Sequence, residues 1–154
     1  MHRFRLKRWK FVSNVEAAGT ARIVILWNPS TVHIDLLDFA PQSVHIYIQC
    51  LSTHHAFAAS FVYGYNTIIG RRTLWDSLKS WAPTSPWLVL RDFNSILSQD
   101  DKHNGDPVSS YEVSDFRACC AELGLSDLNY TGCHYTWSNG NVWTKIDRLL
   151  VNPL

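Results

Sequence analysis

A chain of 154 residues, 46% of them apolar, has the length of one domain and enough apolar side chains to bury a core. Its net charge of +1 excludes a whole-molecule field that would gather nucleic acid by charge alone. No apolar run reaches the length of a membrane span, and the basic start lacks the apolar stretch of a secretory signal. Cys50, Cys119, Cys120 and Cys133 include no C-x-x-C pair, which argues against zinc.

Residues 1–20 form a basic N-terminal segment, and 21–154 make up the remaining domain. His2 to Lys10 carries no acid. It reads either as a loose terminus or as a contact for phosphate backbone. Arg22 to Trp27 is a strand, ended by the turn Asn28-Pro29-Ser30. Val32 to Phe39, Ser43 to Leu51 and Ala56 to Tyr63 follow as strands joined by short turns, which favours antiparallel pairing. Ile68 to Trp81 changes to helical spacing, with Ile69, Leu74, Leu78 and Trp81 on one side and Pro83 beyond its end.

Trp87-Leu88-Val89-Leu90 is a short buried strand that stops abruptly at Arg91-Asp92-Phe93-Asn94. Period-two alternation puts Asp92 and Asn94 on one side of its end. A carboxylate beside a carboxamide suits Mg²⁺ or a phosphate with its attacking water. The competing reading is an Asx turn whose side chains bond nearby backbone. A polar loop, Ser98 to Ser110, leads to a second helix capped by Ser109 or Ser110 and stopped by Gly124. Gly132 to Ser138 and Val142 to Val151 read as two strands around Asn139-Gly140. Strand runs interrupted by two helices imply a mixed α/β (α+β) layered fold.

Three segments in order resemble the endonuclease/exonuclease/phosphatase, or DNase I-like, superfamily. They are Phe61-Val62-Tyr63-Gly64-Tyr65-Asn66, then Leu88 to Asn94, then Tyr135-Thr136-Trp137-Ser138 followed by Lys145 to Val151. They look most like the endonuclease domains of plant LINE-type retrotransposons, and the likeness runs from about Arg22 onward. The resemblance implies a four-layer sandwich of two mostly antiparallel sheets flanked by helices. It also implies Mg²⁺-dependent cleavage of DNA phosphodiesters. By that resemblance Asp92 would orient and deprotonate the attacking water, Asn94 would bond the phosphate or the water, and Tyr63 would stabilise charge. Asn66 and Thr136 would contact the substrate, and Asp147 would support the network. Asp92 and Asp147 are the nearest candidates for holding Mg²⁺. Each has a plainer alternative: Tyr63 as a strand aromatic, Asn66 as a helix N-cap neighbour or turn residue, Thr136 as a strand former, and Asp147 paired with Arg148 or Lys145.

The departures are specific. Arg91 stands where the family has Gly, and the family's metal-site Asn, metal-binding Glu and terminal Ser-Asp-His segment have no match in this chain. The expectation is a domain incomplete at both ends, marginally stable or dependent on a partner to fold. An Arg beside Asp92 should lower its pKa, weaken it as a base and compete with Mg²⁺, unless Arg91 points away and matters little. If the position needs φ > 0, Arg91 should also strain the strand end. Two functions lead, an impaired retrotransposon-type endonuclease or an inactive remnant that binds nucleic acid weakly; a third in the same superfamily, a phosphoesterase on a small phosphate ester or phosphoinositide, is disfavoured by the Y-T-W and I-D-R segments. Neither leading function implies a membrane or a stable protein partner. The compartment stays open among intracellular sites, the nucleus included.

Overall fold

The computed structural model describes residues 8–153. Residues 2–7 of the basic start lie outside the described residues. Within that start, strand β1 (Lys10–Ser13) pairs antiparallel with β2 (Val24–Trp27), and a single helical turn, α1 (Val15–Ala18), lies between them. Asn14 fixes this hairpin to the rest of the molecule. Its Oδ1 accepts from the Arg22 and Ile23 N–H groups, and its Nδ2 donates to the carbonyls of Ala40 and Pro41. All four bonds satisfy a fully buried amide, so Asn14 holds structure.

The main sheet has six strands in the order β3-β4-β5-β6-β11-β8. β3 (Val32–Ala40), β4 (Ser43–Cys50) and β5 (Ala56–Tyr63) form the expected antiparallel meander. Helix α2 (Ile68–Trp81) then crosses over, so β6 (Trp87–Asp92) lies parallel to β5. A crossover through a helix is what a parallel pair requires. The α2 boundaries match the sequence reading. Thr67 caps the start by accepting from the Gly70 N–H, and the chain turns out of the helix before Pro83.

After β6 the polar loop holds a 3-10 turn, Gln99–Asp101, and strand β7 (Lys102–His103). Helix α3 (Ser110–Leu123) carries a full capping box, Ser109 with Glu112, and ends on Gly124 at φ 64°. β8 (Ser126–Asp127) forms the sheet edge. β9 (Trp137–Ser138), β10 (Trp143–Thr144) and β7 make a separate three-stranded sheet. β11 (Asp147–Val151) returns to the main sheet beside β6. The expected strand from Val142 to Val151 is therefore two strands. The break falls at Lys145 and Ile146, whose backbone groups bond Asp101 and Phe93 in other elements.

Alternation along β6 splits the core. Trp87 and Val89 face α2 and α3, where Leu74, Trp75, Leu78, Phe93, Phe116 and Leu150 join them. Leu88 and Leu90 face the other side, with Phe61, Tyr63, Val44 and Ile46, partly covered by Ile23 and Ile25 from the β1–β2 hairpin. The candidate site residues emerge at the C-terminal end of that second face.

Candidate active site

Three strands bring three carboxylate- or hydroxyl-bearing residues to one level. Tyr63 is the register partner of Asp92 across β5–β6, and Asp147 is its partner across β6–β11. All three line one cavity of about 630 Å³, with Arg22, Arg91, Phe61 and Leu90 around them. Asp92 and Asn94, expected on one side, are not. Asn94 adopts φ 46°, which swings it into a neighbouring cavity of about 370 Å³ with Asn66, Arg71 and Lys102. Period two stops applying where the strand stops.

The turn alternative is realised in detail. The Asp92 Oδ1 accepts from the Asn94 N–H at 2.8 Å, and the Asn94 Nδ2 donates to the Gly64 carbonyl at 2.8 Å. The Gly64 N–H in turn donates to the Asp92 carbonyl. These bonds press the loop after β5 against the loop after β6. A Cβ on Gly64 would sit 2.3 Å from the Phe93 carbonyl oxygen, so only glycine fits. One oxygen of Asp92 remains outside this network.

Arg91 does adopt φ 100°, a region that L side chains rarely enter. It acts on Asp92 in the expected direction but does not decide the outcome. The Asp92 pKa is raised: burial is the largest cause, and the Asp147 carboxylate adds to it. The Asn94 N–H, Arg71 and Arg91 pull the other way and are outweighed. A raised carboxylate pKa makes Asp92 a better proton acceptor near neutral pH.

The remaining expected residues serve more locally. The Thr136 Oγ1 accepts from the Ile146 and Asp147 N–H groups, which ties β9 to the start of β11. Asp147 does not take Lys145 or Arg148 as a partner. The Lys145 Nζ lies 3.1 Å from Asp127, and Arg148 is buried between Asp127 and Asp101. The Asp101 Oδ2 also accepts from the Leu97 and Ser98 N–H groups. Sequence reasoning missed this buried cluster, which anchors β11 and so sets where Asp147 stands. Its members are far apart in sequence, and nothing local marks them.

Among the described residues no group of three or more His, Cys, Asp or Glu side chains forms a metal-binding set. Asp92 and Asp147 provide two carboxylates on facing strands. That donor set fits Mg²⁺ when substrate phosphate oxygens complete its shell. No described helix is long and apolar enough to cross a membrane.

The architecture is the mixed α/β fold of DNase I-like proteins, as the solved structures with high similarity show. The endonuclease domain of TRAS1, a telomere-specific non-LTR retrotransposon, aligns with a TM-score of 0.70 at 14% identity, over 97% of this chain and 68% of that one. The AP endonuclease of Leishmania major gives 0.60 at 12% identity, over 95% of this chain and 62% of that one. The mannosyl-6-phosphatase of Bacteroides thetaiotaomicron gives 0.55 at 14%, over 95% and 63%. Likeness at this identity establishes the fold. No family model and no curated protein matches the sequence.

Proposed function

We propose that the cleft at the ends of β5, β6 and β11 binds a nucleic-acid phosphodiester and is built to hydrolyse it with water. The observation that carries this reading is the convergence of Tyr63, Asp92 and Asp147 on one cavity, with burial raising the pKa of Asp92. Asp92 takes the proton of the attacking water through the oxygen left free by Asn94. The Tyr63 hydroxyl donates to charge developing on the phosphate. Asn66 and Asn94, one cavity away, hold the flanking backbone. Thr136 positions Asp147 through the backbone it bonds. Asp92 and Asp147 would hold Mg²⁺, which when bound neutralises phosphoryl charge. Likeness to a retrotransposon endonuclease domain supports DNA as the substrate.

A second reading, binding without turnover, is favoured by one observation: Arg91 places a permanent cation in the same cavity as the base, where it opposes entry of a second cation. Nicking of supercoiled plasmid separates the two. Mg²⁺-dependent nicking that EDTA stops and Asp92→Ala lowers a hundredfold or more supports hydrolysis. A folded sample that binds DNA without nicking it supports the second reading.

A further inference from the structure

The large cavity has an arginine on each wall. Arg22 enters from the start of the β1–β2 side, and Arg91 from the end of β6. Both are exposed, and no ion pair among the described residues involves either. Arg22 is placed by aromatic faces. Its guanidinium carbon lies 5.5 Å from the Tyr63 ring centroid and 5.4 Å from that of Tyr65. Arg91 is placed by the backbone at φ 100°, a conformation that surrounding structure must enforce and that concentrates at ligand sites. Between them the floor is apolar, with Phe61 and Leu90 half-buried.

We propose that Arg22 and Arg91 form a clamp that holds one phosphodiester of a single nucleic-acid strand without a divalent cation, with a neighbouring base lying on Phe61. The inference rests on the reading of this cleft as a phosphodiester site, and it adds the groups that do the gripping. Guanidinium forks match phosphate oxygens two at a time and stay charged at every working pH. An aromatic face accepts any base, so the clamp is indifferent to sequence. The cavity volume falls in the range of small-ligand sites and suits a nucleotide.

The test is fluorescence anisotropy of a short labelled single-stranded oligonucleotide with the full chain in EDTA, across a salt series. Arg91→Gly suits the backbone and keeps the fold, which far-UV circular dichroism checks. Arg22→Ala is the second variant. Arg72→Ala is the control, since Arg72 lies on α2 paired with Asp115. The clamp predicts binding in EDTA, weakened about tenfold by Arg91→Gly and by Arg22→Ala and untouched by Arg72→Ala. It also predicts that the slope of log affinity against log salt falls by about 0.7 for each arginine removed. Inorganic phosphate should compete weakly, and a duplex of the same sequence should bind less well than the single strand. Binding that needs Mg²⁺ and ignores both variants overturns the clamp while leaving the hydrolytic reading intact. No binding in EDTA or Mg²⁺, together with no nicking, overturns both.

Discussion

The two faces of the main sheet are built to opposite ends. On the helix side, Trp75, Phe93 and Phe116 stack with centroids 4.8 and 5.0 Å apart at the closest pairs, and Val89 and Leu150 are fully buried. On the other side, Leu88 and Leu90 are only half-buried, and the β1–β2 hairpin covers β4 and β5 more than β6. The first face concentrates the stabilising burial. The second leaves room at its end for carboxylates, a phenol and two arginines. The contrast shows a site placed where packing is thinnest, on strands held by packing on their reverse.

Substitutions can test that contrast. The largest effect is expected from Phe116→Ala, a loss of about 4 kcal/mol in urea denaturation, because the site cannot collapse around a missing ring. Leu90→Ala should cost under half of that, and an equal cost would break the contrast. Acid comes next. His45 is buried between strand and helix, its Nδ1 2.7 Å from the Ser60 hydroxyl and its ring stacked on Trp81. Burial lowers its pKa to about 4, with Asp38 opposing. The unfolded chain therefore binds the extra proton first. Stability is full above about pH 6.5 and falls as pH drops from there to about 4, by about 3 kcal/mol. His45→Gln should flatten that slope. A smaller change is expected from Arg91→Gly, a gain of about 1 kcal/mol from released backbone strain. The smallest is from Asp92→Asn. The raised pKa means the charged carboxylate disfavours the fold, so the amide should raise the midpoint slightly at neutral pH and leave acid stability unchanged.

Local signals were legible and long-range ones were not. Ser109 and Gly124 mark the ends of α3 because capping is chemistry within a few residues. The β3 to β6 strands follow from alternation and apolar runs. The Arg91 φ could be anticipated because a glycine in the resembled family flags the backbone it needs. By contrast, β1 is four residues long and begins at Lys10, where the basic run ends, and its partner β2 begins eleven residues beyond it. The break at Lys145 and Ile146 depends on Asp101 and Phe93. The raised pKa of Asp92 depends on burial, which no count of neighbouring charges reports.

Arg148 and Asp101, which together seat the end of β11, are separated by 47 residues in the chain. Such a contact closes a long loop, and its entropy is spent before any attraction returns it. Collapse of the β3–β5 meander and α2 can precede it. Asp147 reaches Asp92 only once that closure is made. A partly folded chain can thus be compact and still lack its chemistry, so a probe of compactness and a probe of the site should report different rates during refolding.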